Sequence, residues 1–293
     1  EVAERERMSE AAMNLHVAQS AVSRQIANLE AELGVTLFER EGRNIKLTQI
    51  GKIFLESTKS AMKSIDHATK QIEEYLDPER GSIKIGFPTS LASHFLPTVL
   101  SEFRTHYPKL NYQLRQGSYS FLIESVKNRE IDLAFLGPVP TNDPDIQATI
   151  LFTEKLHALI PTTHELADRS FIHLNELRQE NFVVFPEGYV FHDLVINGCK
   201  QAGFSPSISS QGEDLDAIKG MVSAGIGVTL LPDSSFYDTT PRFTKKIPIE
   251  TPQLKRTVGI IIPKHRELAP SEKVFYQFVK DFFKKLESFQ SGF

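Results

Sequence analysis

The chain has 293 residues, 40% hydrophobic and 24% charged, with a net charge of −4. That is enough for two or three domains of ordinary globular composition. It excludes a membrane span, since no apolar run approaches the ~20 residues required, and an internal disulfide, since Cys199 is the single cysteine. A lone thiol and no visible signal peptide fit a reducing cytoplasm. Net acidity argues against a nonspecific polyanion binder. Residues 1–76 hold ten Lys and Arg against twelve Asp and Glu, so any contact with nucleic acid must rest on where charge is placed.

Residues 1–7, "EVAERER", carry no Met, cap or turn residue, and the quoted sequence is expected to open inside a truncated first helix. Ser9 is expected to cap a short helix, "EAAMNL", with "HV" turning into a second helix from Ala18 to Leu33 that Gly34 stops. Apolar residues Ala21, Val22, Ile26, Leu29 and Leu33 recur at helical spacing. Gln19, Ser20, Ser23 and Arg24 crowd the other side of its first two turns. "VTLFEREGRNIKLT" reads as a small hairpin. Thr48 is a good N-cap for a proline-free helix to Leu76, about 28 residues and roughly 40 Å long. Its stripe of Ile50, Phe54, Ser57, Ala61, Ile65 (or Ser64), Ala68, Ile72 and Tyr75 (or Leu76) runs in steps of three and four. Such a helix either packs along its own domain or pairs with a second copy. "DPERG" (77–81) is a hinge. Strand and helix then alternate to the end, so the sheet is expected to be parallel, with helices on its faces and two βα halves in tandem.

Two short helices, a tight turn and a hairpin make a winged helix-turn-helix, whose second helix enters the major groove N-terminus first. Base edges present donors and acceptors, which Gln19, Ser20, Ser23 and Arg24 can meet; Gln pairs with adenine and Arg with guanine through two hydrogen bonds. Arg40, Arg43 and Lys46 on the hairpin can reach flanking phosphates. A capped surface helix, and an ion-pair cluster of Arg40 and Arg43 with Glu39 and Glu41, remain open as plainer alternatives.

From Ala11 to Gly51 the chain resembles LysR-type transcriptional regulators, through "QSAVSRQIANLE", "LGVTLFER" and "LTQIG". "SAGIGVTLLP" (Ser223 to Pro232) is similar to that family's glycine-rich segment. Ala18 stands where the family often has Ser or Thr, a lost cap that costs about 1 kcal/mol locally, and Ile50 replaces a more usual alanine. The resemblance implies an α/β protein with a DNA-binding domain (1–48), a linker and dimerisation helix (49–76), a hinge (77–81) and a two-lobed, periplasmic-binding-protein-like effector domain (82–293). Lobe I is expected at about 82–155 and 264–293, and lobe II at about 156–263. It also implies double-stranded promoter DNA, RNA polymerase, a small-molecule effector and a second or fourth copy of the chain as partners, with no cofactor and no enzymatic activity. "KIGFPTSLAS", "LGPVPTN" and "GEDLDAIKG" are similar to members that couple nitrogen and carbon status to glutamate synthesis. There 2-oxoglutarate is the implied activating signal and glutamate the opposing one.

In a two-lobed α/β domain the ligand sits beyond the carboxyl ends of the strands. Thr89, Ser90 and Ser93 follow the first strand; Gln116, Gly117 and Ser118 follow the second; Gly137 and Pro138 follow the third. Phe185, Pro186 and Thr229 approach from the other lobe. All of these can equally be ordinary turn and capping residues. Arg115 is either a carboxylate partner or a surface charge. "GIGVTLLP" has helix before strand, the reverse of a dinucleotide fingerprint. No His or Cys has metal-ligand spacing, and Cys199 reads as a core thiol. A solute-binding protein with a fused helical stalk would share the two-lobed domain but not the "QSAVSRQ" helix.

Overall fold

A computed structural model describes residues 1–41, 44–77, 81–92, 95–237 and 240–290. The chain divides into two compact units, Glu1–Ala68 and Thr69–Phe293.

In the first unit α1 (Val2–Arg5), α2 (Met8–Asn14) and α3 (Gln19–Leu33) precede a hairpin of β1 (Phe38–Glu41) and β2 (Asn44–Leu47). Ala11, Ala12, Val22 and Val2 form its core, with Ile26, Phe38 and Ile45 against them. The α2–α3 turn is closed by His16 in the left-handed region (φ 53°) and by the Val17 amide donating to the Ala12 carbonyl at 3.0 Å. Two expectations fail locally. The extended backbone that a cap requires sits at Arg7, so Ser9 lies inside α2 instead of capping it. The apolar stripe of α3 also outruns this small core: Val22 is buried, whereas Ala21 and Leu33 are exposed.

The motif residues of this unit are structural. Glu30 Oε1 accepts from the Leu37 and Phe38 amides at 2.7 and 3.0 Å, tying α3 to the hairpin. Thr48 caps the long helix α4 (Gln49–Leu76): its hydroxyl accepts from the Gly51 amide at 3.0 Å and donates to the Thr36 carbonyl at 2.8 Å. Gly51 is required there, because a Cβ would stand 2.1 Å from the Leu37 carbonyl oxygen.

The second unit begins with the last two turns of α4, earlier than the expected hinge. Lys70 Nζ lies 2.9 Å from Asp132 and 3.1 Å from Glu272, and Glu74 accepts from the Ser271 amide and hydroxyl at 2.9 and 2.7 Å. Of the hinge itself, residues 78–80 lie outside the described residues. The remaining elements are β3 (Ser82–Phe87), α5 (Phe95–His106), β4 (Asn111–Gln116), α6 (Tyr119–Lys127), β5 (Leu133–Leu136), β6 (Ile146–Pro161), β7 (Ile172–His173), β8 (Asn181–Val184), α7 (Val190–Gln201), β9 (Ser207–Gln211), α8 (Leu215–Ser223), β10 (Thr229–Pro232), β11 (Thr244–Thr251), β12 (Lys255–Pro263) and α9 (Pro270–Gln290).

Strand–helix alternation holds, but the sheet is mixed, not parallel. Eight strands run β4-β3-β5-β12-β6-β11-β7, with β10 also on β6; β8 and β9 pair separately. β3 is parallel to β4 and β5, whereas β12, β10 and β11 are all antiparallel to β6. Parallel neighbours need a helical crossover. β5 leads to β6, and β11 to β12, without one. β6 is 16 residues long: its first part pairs with β12, its last part with β10 and β11. It thus runs from one lobe into the other, and β12 is the return. The expected placement of 255–263 in lobe II is corrected accordingly. Val258, Ile260 and Ile262 belong to the lobe I core with Phe95, Phe103, Phe135 and Phe275. Lobe II packs around Ile160, Leu177, Phe182, Val195, Cys199 and Ile247. Burial pushes the Cys199 thiol up to about 12, as fits an inert core residue.

Candidate functional site

The amino-terminal unit presents Gln19, Ser20, Ser23 and Arg24 together at the start of α3, all exposed. Gln19 and Ser23, and Ser20 and Arg24, are i,i+4 pairs and share one face. Among the described residues Arg24 has no ion-pair partner. Ala18 leaves the first turn without a side-chain cap, so its amides stay available to an anion. Arg40 on β1 and Lys46 on β2 are exposed on the hairpin; Arg43 lies outside the described residues. Arg40 makes no ion pair with Glu39 among the described residues, which removes that part of the ion-pair alternative.

The second unit contains a cleft of about 440 Å³. Of the expected ligand residues, Thr89, Ser90, Gly117, Ser118, Gly137 and Phe185 line it. Gln116 stands one layer back and donates to Thr89 Oγ1 at 2.8 Å. Pro138 and Pro186 are not among the lining residues. Thr229 is corrected to a core position: it is 1% exposed in β10, opposite Leu159 on β6. Ser93 lies outside the described residues. Arg115 is exposed, with its guanidinium 4.9 Å over the Phe121 ring, and does not line the cleft.

The lobe I wall has a common hydrogen-bonding sense. Thr89 Oγ1 accepts from Gln116, Ser118 Oγ from the Phe121 amide at 3.4 Å, and Ser90 Oγ stands 3.4 Å from the Arg256 guanidinium. A hydroxyl that already accepts keeps its own proton to give, so this wall offers donors. The lobe II wall was not foreseen. It stacks Phe185 on Tyr189 and Phe191, with ring centroids 5.8 and 5.1 Å apart, and adds Glu187, Glu213 and Asp214. Asp214 also caps α8, accepting from the Ala217 amide at 2.7 Å. These residues follow β8 and β9, so the strand-end rule that found Thr89 applies to them equally.

Beneath the floor, Arg256 and Glu154 form a buried ion pair at 2.6 Å, with side chains 0% and 4% exposed. Burial presses the guanidinium below its ordinary value, and Glu154 opposes this. Among the described residues no His, Cys, Asp and Glu cluster can hold a metal, and no helix is long and apolar enough to cross a membrane.

Residues 1–52 match the family described as bacterial regulatory helix-turn-helix protein, lysR family, and residues 76–284 match the LysR substrate binding domain. The chain belongs to the LysR family. Transcriptional dual regulator GltC of Bacillus subtilis (strain 168) is 68% identical over 290 residues, covering 99% of this chain and 97% of that protein. The uncharacterized HTH-type transcriptional regulator YybE of the same organism is 34% identical, covering 95% and 94%. The crystal structure of full-length CbnR complexed with target DNA superposes with a TM-score of 0.73 at 25% identity, covering 96% of each chain. As a GltC-like LysR regulator the chain is a DNA-binding transcription factor and not an enzyme, and the solute-binding alternative falls away. LysR-type regulators bind small-molecule effectors and form oligomers.

Proposed function

We propose that this regulator acts on a glutamate synthase operon, with 2-oxoglutarate as the activating effector and glutamate as the opposing one. The donor wall of Thr89, Ser90 and Ser118 carries the reading. Three hydroxyls that each present a proton suit a group that only accepts, which is a carboxylate. Both compounds have one to place there. They differ at the other wall: the ammonium of glutamate finds Glu187, Glu213 and Asp214, whereas 2-oxoglutarate has none to offer. The two ligands thus share a floor and hold lobe II differently. A ligand shifts an equilibrium only through such differential contacts.

The apolar stripe of α4 supports self-association. Ile72 is 65% exposed and Tyr75 82%, and an apolar stripe this exposed on a helix of this length fits a second copy of itself. Two heads joined by such a pair address two half-sites in the promoter, where RNA polymerase is the further partner.

Calorimetric titration of the full chain tests the effector assignment. 2-Oxoglutarate and glutamate should compete. Ser90→Ala should weaken both by roughly tenfold, the value of one hydrogen bond to a charged group. Glu187→Gln should weaken glutamate alone. Equal loss of both ligands in Glu187→Gln would contradict the two-wall account.

A further inference from the structure

The cation of the effector cleft lies under its floor. Arg256 is the largest fully buried side chain among the described residues. Its Nε donates to Glu154 Oε1 at 2.6 Å, while Glu154 Oε2 is taken by the Ser234 amide at 2.8 Å. The other guanidinium nitrogens have neutral, long contacts: Ser90 Oγ and Ser234 Oγ at 3.4 Å and the Gly137 carbonyl at 3.5 Å. Gly137 packs directly over the guanidinium: a Cβ there would stand in ordinary van der Waals contact, 3.5 Å from Arg256 Cζ. The Phe191 ring, itself part of the lobe II wall, stands 5.0 Å from the same carbon.

A full positive charge is therefore countered by one carboxylate engaged at one nitrogen, and its Nη1 edge faces two residues that line the cleft. Such a pair is weak evidence for a stabilising role, since apolar residues of similar volume commonly serve a core as well or better. Its placement is the informative part. Among the described residues the exposed walls offer carboxylates and hydroxyls but no cation, so a carboxylate ligand would meet net repulsion from them without a charge nearby.

Resting on the reading of the cleft given above, we propose that Arg256 is its specificity-determining residue. Acting through Ser90, it fixes that hydroxyl as a donor toward the ligand. Its charge selects a carboxylate over an uncharged isostere, and Glu154 sets how much of that charge the cleft feels. The two members of the pair thus act on affinity with opposite signs.

The test titrates 2-oxoglutarate, L-glutamate and the dimethyl ester of 2-oxoglutarate into the full chain. Arg256→Gln alone strands Glu154 in the core, so the neutral pair Arg256→Gln with Glu154→Gln carries the arginine arm, its thermal transition serving as the folding control. Glu154→Gln, held to the same folding control because it leaves Arg256 uncompensated, should tighten 2-oxoglutarate several-fold. The double variant should weaken it on the order of tenfold and lose the preference for the dicarboxylate over its ester by the same factor. A double variant that binds 2-oxoglutarate as the parent does overturns the assignment of Arg256 and leaves the effector reading standing. So does a Glu154→Gln variant that loses affinity and selectivity alongside the double variant, the pattern of a merely structural pair. A parent chain that binds none of the three probes overturns both.

Discussion

Glu272→Ala should destabilise the effector unit by about 3–5 kcal/mol, the cost of leaving buried charges uncompensated. Glu272 is 0% exposed; it accepts from Lys70 Nζ at 3.1 Å, Arg266 Nη1 at 2.6 Å and the Ala269 amide at 3.1 Å. Asp132 stands 2.9 Å from Lys70 but 3.7 Å from Arg266 and also receives the Lys84 amide at 2.8 Å, so the close contact to Arg266 is made by Glu272. Burial presses the Lys70 amine down, yet Asp132 and Glu272 outweigh it and hold it above its ordinary 10.5. A raised lysine contributes stability that is complete below its unfolded value and lost as pH rises through the folded one, so the cluster is at full strength at neutral pH. Urea unfolding of variant and parent at pH 7, with the parent repeated above pH 10.5, measures this; a loss under 1 kcal/mol at pH 7 would show that the cluster is not needed. Because Lys70 and Glu74 belong to α4, the same cluster fixes the end of the linker helix to lobe I. Loosening it should also weaken the transfer of the effector signal.

Arg24→Ala should lower discrimination between the operator and unrelated duplex by about 1–3 kcal/mol, the worth of one bidentate base contact. Arg40→Ala should act differently. If Arg40 contacts a phosphate, its loss should weaken all sequences alike and reduce the salt dependence of binding by about one counterion. Competition between operator and scrambled fragments over a salt series separates the two. Full discrimination in Arg24→Ala would remove this residue from base recognition.

Much of this was legible before any coordinates, because the signals were local. Gln19 to Arg24 share a face by spacing alone, Thr48 and Gly51 mark a helix start, and Thr89 and Ser90 follow a strand end. What escaped depends on partners distant in sequence. Nothing in "LKRTVG" marks Arg256 as buried, because Glu154, which permits its burial, is 102 positions away. Glu74 reads as the polar side of a heptad, but it is buried against the start of α9, 197 positions on. The mixed sheet escaped for a related reason: β6 shows one apolar pattern throughout, and only pairing reveals that its two parts serve different lobes. Thr229 was misplaced because its side chain is buried where β10 packs on β6, 1% exposed; the residue on this path that nears Arg256 is Ser234, beyond the strand.

The central claim is that two α3 tips, joined through α4, meet one duplex under the control of a carboxylate effector. Sedimentation of the full chain with a fragment of the glutamate synthase promoter, at low salt and with or without 2-oxoglutarate, tests it most directly. The account predicts two chains per duplex, or a multiple of two, and a protected length or affinity that changes when the effector is added. A single chain on the duplex, or no complex at low salt, would contradict it.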